Sequence, residues 1–191
     1  VVQKTAPLPD FRLDVKLPFS HTALDAFGPI FVRHGCDYKK CPHSEDYKTW
    51  GILFTCLAVR AVHIELVEDL STVTMLQAVR RFCARRGVPR FCFSDNQRSF
   101  EATEKTLAKL YAAIKWEKVQ EETAQKGIQW GFSKPLSPWE NGCCERLVGS
   151  VKRALYASLG TKRVDFASLE TILLEVECVV NSRPLGPFSQ G

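Results

Sequence analysis

Three acidic residues occupy sequence contexts that each present a carboxylate: Asp25 in HTALDAFGPI, Asp95 in FCFSDNQRSF and Glu145 in WENGCCERLVGSVKRAL. Asp25 and Asp95 end or interrupt apolar stretches that read as strands, and Glu145 lies near the start of a basic amphipathic helix. Three carboxylates drawn together from separate elements suit magnesium, which takes a few carboxylate oxygens and completes its octahedron with water and phosphate. Two such ions, roughly 3.5–4 Å apart, hold the attacking and leaving oxygens of a phosphoryl transfer in line. The residue types therefore point to a metal-dependent nuclease or polynucleotidyl transferase. Glu140 competes for the third position. Glu145 is preferred because a ligand needs a rigid element, and the spacing places only Glu145 clearly inside the helix.

The elements that must position these acids alternate between strand and helix. Residues 20–32 read as a strand continuing past a Gly28-Pro29 break. GILFTCLAV at 51–59 is a continuous apolar run, the pattern of a central strand covered on both faces. Val62, Ile64 and Leu66 alternate with Ala61, His63 and Glu65 as the return strand of a hairpin. From Ser71 the period becomes helical, with Leu76, Val79, Phe82 and Cys83 on one stripe and a stop at Gly87 and Pro89. RFCFSD at 90–95 is a short strand whose carboxyl end, where ligands bind in open α/β sheets, delivers Asp95.

Leu107, Leu110, Tyr111 and Ile114 mark a further helix, and the polar KWEKVQEETAQKG after it either extends that helix or forms an excursion. GIQWGF at 127–132 is another strand, and SKPLSPWENG, rich in Pro and Gly, reads as a mobile loop. A long helix follows from about Asn141 to Leu159, with Leu147, Val151, Ala154 and Leu155 inward and Glu145, Gly149, Lys152 and Tyr156 on a different face. The last helix, capped by Asp165, buries Leu169, Leu173, Val176 and Val180. The class is α/β.

At 191 residues the chain makes one domain with a full core, and 45% hydrophobic with 25% charged residues is the balance of a globular protein. Its longest apolar run, around Ile52 to Val59, is too short to span a bilayer, so no membrane association is expected. The net charge is +5, and basic residues cluster at Arg80, Arg81, Arg85, Arg86 and Arg90 and again at Arg146, Lys152, Arg153, Lys162 and Arg163. An acidic polymer is the expected partner; the alternative is a set of solvated helix faces. The amino terminus, VVQKTAPLPD, carries neither an initiator Met nor a targeting pattern, so the segment reads as a piece of a longer polypeptide.

Of eight cysteines, Cys56, Cys83, Cys92 and Cys178 fall in apolar or periodic segments, where a free thiol behaves as a small buried hydrophobe. A reducing compartment fits this usage. Cys143 and Cys144 adjoin Glu145, but thiolates are soft ligands poorly matched to magnesium, and both read as packing residues. His34, Cys36, Cys41 and His43 offer four zinc donors in ten residues, at a spacing unlike that of zinc fingers. A solvent loop between the first two strands is the preferred reading there. His63 reads as a satisfied core or edge histidine.

Taken in order, LDAFGP around Asp25, LFTCLAVRAVHIELVEDLST at 53–72, FCFSDNQRSF around Asp95, IQWGFSKPLSPWENGCCERLVGSVKRAL at 128–155 and VVNSRPL at 179–185 resemble the catalytic core of retroviral-type integrases, most closely those of BEL/Pao-type long-terminal-repeat retrotransposons. The resemblance covers nearly the whole chain and implies an RNase H-like fold, a mixed five-stranded sheet flanked by helices. It implies residues 1–19 as a linker, 20–185 as the integrase core and 186–191 as a tail. It also implies a D,D,E triad of Asp25, Asp95 and Glu145 holding two Mg²⁺ ions, with Mn²⁺ able to substitute, for 3′-end processing and DNA strand transfer. The partners implied are element ends and target DNA, contacted through Asn96, Arg146, Lys152 and Arg153, and other copies of the chain in a homo-oligomer. The implied location is the nucleus, with a cytoplasmic particle stage.

The chain departs from the family at two points. Forty-nine residues separate Asp95 from Glu145, more than in retroviruses, and the polar stretch near 115–127 accounts for the excess. Gln97 stands where the family has Gly after Asp-Asn; if that position needs positive φ, Gln costs on the order of 1 kcal/mol or more. An impaired, domesticated integrase derivative that binds nucleic acid without catalysis is therefore the alternative function.

Overall fold

The first strand forms because its residues alternate between two cores. In the computed structural model, which describes residues 17–33, 46–94, 109–110, 112–132, 138–160 and 162–183, with backbone alone for 138–145, β1 spans His21–Val32. Leu24 and Ala26 point into one apolar cluster and Phe27, Ile30 and Val32 into the other. It pairs antiparallel with β2 (Tyr47–Cys56), which pairs antiparallel with β3 (Val62–Val67). On its other side β1 runs parallel to β4 (Phe91–Ser94), and β4 runs parallel to β5 (Gln129–Phe132). The sheet is mixed and five-stranded, in the order β3-β2-β1-β4-β5. The β1–β2 register shifts between Phe27 and Ile30, around a cis Gly28-Pro29 bond, so the expected strand does continue past that break.

Among the described residues four named helices flank the sheet. α1 (Thr72–Arg86) starts at Ser71, whose side chain accepts from the Thr74 amide, and ends at Gly87, which has φ of 90°. Its Met75, Val79 and Phe82 close one face of the sheet together with Val119 of α2 (Trp116–Ala124). The opposite face is closed by Leu147, Val151 and Leu155 of α3 (Pro138–Leu159) and by Leu169, Leu173 and Val176 of α4 (Phe166–Asn181). At about 1.5–3 kcal/mol for each large apolar side chain withdrawn from water, these stripes outweigh helix propensity as the source of helical stability. Gly51 is required by packing: a Cβ there would lie 2.2 Å from the Phe27 ring.

Several boundaries differ from the sequence expectation. β2 begins at Tyr47 and stops at Cys56; Leu57–Val59 form a turn because Cys56 N–H bonds Ala61 O at 2.8 Å and closes the hairpin. The polar stretch after residue 115 is a separate helix, α2, whose Trp116, Val119 and Thr123 are buried. Pro138–Gly142, expected in a loop, belong to α3. Proline suits the first helical position, where its missing N–H needs no partner. Cys56, Cys83 and Cys92 are buried as expected, but Cys178 is exposed, since it falls on the outer side of α4 from Leu173, Val176 and Val180. His34, Cys36, Cys41, His43, Gln97, Cys143 and Cys144, as candidate ligands or packing residues, lie outside the described side chains. Among the described residues no helix is long and apolar enough to cross a membrane.

β3 is an edge strand, and α4 covers its edge. Asn181 Oδ1 accepts from Val62 N–H at 2.7 Å and Asn181 Nδ2 donates to Val62 O at 2.9 Å. Glu177 Oε2 accepts from Ile64 N–H at 2.8 Å. Two helical side chains thus satisfy the backbone groups that a sixth strand would have taken.

Candidate active site

Asp25 sits in the middle of β1, half-buried, and its Oδ1 accepts from the Ala26 amide at 2.8 Å. Strand alternation puts it on the same face as Phe27, which packs with Leu147 and Val151 of α3, and opposite Leu24 and Ala26. Leu24 is the register partner of Ser94. Asp25 and Asp95 are therefore the residues that follow a paired position on two adjacent parallel strands. Asp95 itself, with Asn96, lies outside the described residues.

Glu145 belongs to α3, two positions before the buried Leu147, and α3 packs against β1 and β2. Its backbone is helical, and its side chain lies outside the described set. Because α3 begins at Pro138, Glu140 is also helical, so placement on a rigid element does not separate the two acids as the sequence suggested. The basic candidates follow along the same helix. Arg146 and Arg153 are exposed, Lys152 is half-buried, and Arg153 Nη2 donates to Ser150 Oγ at 3.1 Å. Between them Gly149 is open: a Cβ there would meet only Arg153 Nη1, at 3.6 Å.

The donor set suits a hard divalent cation. A carboxylate offers about four lone-pair sites, and Asp25 Oδ1 accepts from the Ala26 amide through one of them. Oxygen donors of this kind match magnesium or manganese. Among the described residues no group of three His, Cys, Asp or Glu side chains converges to hold a metal.

Sequence reasoning missed the strongest electrostatic feature, a buried network on the α1 side of β3. His63 and Glu65 are 1% and 4% exposed, and His63 Nε2 lies 2.9 Å from Glu65 Oε1. Arg81 and, at 3.6 Å, Arg85 pair with Glu65, and Arg86 pairs with Glu177. Three arginines expected to face an acidic polymer thus neutralise internal carboxylates. Burial would lower the pKa of His63, but hydrogen bonds to Glu177 and Glu65 and their charges outweigh it and raise the imidazole above its ordinary value. Burial would raise Glu65 and Glu177; bonds from His63 with Arg81 for the first, and from His63 with the Ile64 amide for the second, hold both below the usual range. The signal was present: Glu177 falls on the same helical stripe as Leu173, Val176 and Val180.

No family model matches this chain, and no curated protein matches it. Solved structures do. The bovine immunodeficiency virus (BIV) integrase catalytic core is 15% identical, with 88% of each chain covered and a TM-score of 0.56. The HTLV-2 integrase catalytic core, solved with magnesium in a dimeric form, is 18% identical, covering 92% of this chain and 93% of the other at a TM-score of 0.55. A chain of the simian T-cell lymphotropic virus intasome, solved with a PP2A regulatory subunit, is 13% identical at a TM-score of 0.56 over 92% of this chain. This protein spans 59% of that viral chain. Strand order, flanking helices and these likenesses agree: the chain has the RNase H-like fold of retroviral integrase catalytic cores.

Proposed function

We propose that this chain is the catalytic core of a BEL/Pao-type retrotransposon integrase, a polynucleotidyl transferase that processes 3′ ends and joins them to target DNA. The observation that carries the reading is the β1–β4 register. It pairs Leu24, which precedes Asp25, with Ser94, which precedes Asp95 in sequence, and Asp25 lies on the sheet face covered by the helix that contains Glu145. That register supports a D,D,E triad of Asp25, Asp95 and Glu145, and the HTLV-2 core of like fold was solved with magnesium. When bound, two Mg²⁺ or Mn²⁺ ions would supply charge stabilisation to the attacking and leaving oxygens.

The chain's own residues do the rest. The Ala26 amide bond restricts the rotation of the Asp25 carboxylate, which lowers the cost of orienting it. Arg146, Lys152 and Arg153 on α3 and Asn96 after Asp95 would position phosphates of element ends and target DNA without reading bases. A homo-oligomer is proposed on the likeness to a core solved as a dimer, and a nuclear location with a cytoplasmic particle stage goes with the proposed reaction.

The test is Mg²⁺- or Mn²⁺-dependent strand transfer and disintegration on branched DNA, comparing the native chain with Glu145→Gln and Glu140→Gln. Loss with Glu145→Gln alone supports the triad, and undiminished cleavage by that variant sinks it. Inactivity of the native chain with retained DNA binding would favour the impaired, domesticated module.

A further inference from the structure

The turn between β2 and β3 holds a residue in a conformation its type disfavours. Arg60 has φ of 59°, in the left-handed region that glycine and asparagine take readily and other L-residues rarely. The turn imposes it: Arg60 N–H bonds Cys56 O at 3.0 Å, and Cys56 N–H bonds Ala61 O at 2.8 Å. Nothing in that backbone geometry calls for a guanidinium. Backbone strain of this kind persists only where the surrounding structure holds it, and it clusters at functional sites.

A second arginine is fixed beside it. Arg183, just past the C-terminus of α4, donates through Nη1 to Val180 O and through Nη2 to Arg60 O at 2.6 Å. Two carbonyls from different elements thus lock the plane of its fork. Burial, and secondly the positive charge of Arg60, hold Arg183 below its ordinary range. Neither arginine forms an ion pair among the described residues, whereas Arg81, Arg85, Arg86 and Arg163 each do. Two neighbouring, half-buried guanidinium groups with no carboxylate partner among the described residues, one of them pre-oriented, make a receptor for an anion, and planar forks match phosphate oxygens.

We propose that Arg60 and Arg183 form a phosphate-binding site, separate from the candidate carboxylate centre, that grips the backbone of a polynucleotide. Asp25 pairs with Leu53, three residues before Cys56, so the turn begins ~10 Å along the strand from Asp25 at ~3.4 Å per residue. The site rests on nucleic acid as the partner in the proposed function, but not on the carboxylate chemistry.

The experiment measures binding of a short DNA duplex in EDTA across a salt series, for the native chain, Arg60→Asn and Arg60→Lys. Asparagine removes the charge yet suits the left-handed backbone, and it leaves the carbonyl that Arg183 uses. The expected result is a slope of log K against log salt lower by ~0.9 for Arg60→Asn, with unchanged or raised Tm, and restoration by Arg60→Lys. An unchanged slope in Arg60→Asn overturns the proposal. Titration with inorganic phosphate, followed by arginine Nε resonances, separates the two sources of the ligand. Saturating shifts at Arg60 and Arg183 without any change in the DNA slope would assign the site to free phosphate and overturn the strand assignment. DNA binding that depends on Arg60 in a chain without strand-transfer activity would keep this site and sink the catalytic reading.

Discussion

His63 has partners at both ring nitrogens: Nε2 faces Glu65 Oε1 at 2.9 Å, and Nδ1 lies 3.5 Å from Glu177 Oε2, to which the protonated ring donates, and 3.4 Å from Arg86 Nε, from which only the neutral ring accepts. The linkage has a definite sign. The folded imidazole titrates above its ordinary 6.5, so its contribution is complete below about pH 6.5 and is lost as pH rises through the folded value. Glu65 and Glu177 titrate below 4.5, so theirs is complete above about pH 4.5 and is lost on further acidification. The network therefore stabilises most between those limits. His63→Gln should flatten the alkaline limb of a Tm–pH profile, and profiles that stay parallel to the native one would refute the assignment. Glu177→Ala strands Arg86 and the Ile64 amide at once. Removing one partner of a buried pair costs ~3–5 kcal/mol, and partial exposure of Arg86, at 36%, favours the lower end. Urea denaturation gives the value.

Elements rather than single groups decide the sheet's edges and thickness. α4 is both a core helix, through Leu169, Leu173 and Val176, and a surrogate strand, through Asn181 and Glu177. Asn181→Leu keeps the helix but orphans the Val62 amide and carbonyl, at about 1–3 kcal/mol for each buried group left unsatisfied. The expected outcome is faster hydrogen exchange confined to β3; unchanged protection of Val62 would show that water replaces the side chain. In β2, Gly51 admits the Phe27 ring. Gly51→Ala should destabilise by ~1–3 kcal/mol through overpacking, measured by thermal unfolding. Phe27 lies two residues from Asp25 on the same face, so that variant also tests how strongly the candidate site depends on the packing beneath it.

For the molecule as a whole, the 26 Lys and Arg residues overstate what a polyanion meets, because Arg81, Arg85 and Arg86 serve internal acids. Other basic side chains include Arg146, Lys152 and Arg153 on α3 and Arg60 and Arg183 at the β2–β3 turn. Thiol chemistry reports the same inside-to-outside order. Burial raises the pKa of Cys83 and Cys92, and Cys56 Sγ accepts from Phe19 N–H at 3.1 Å, while Cys178 is exposed. Alkylation of the folded chain with peptide mapping should modify Cys178 first of these four, and early labelling of Cys92 would contradict the β4 placement.

The sequence by itself determined the alternation of strands and helices, the helix start at Ser71, the cap at Asp165, and the stripes that bury Leu76, Val79, Phe82, Leu169 and Leu173, because these follow from local periodicity and side-chain chemistry. It also carried the Asp25, Asp95 and Glu145 motifs and the resemblance that orders them. Tertiary structure alone decided that Leu24 pairs with Ser94, since register depends on contacts between segments seventy residues apart. It alone turned Glu177 and Glu65 into buried acids and three arginines into their partners. A charge is legible in a sequence, but its counter-charge, here 91 residues away for Arg86 and Glu177, is chosen by the fold.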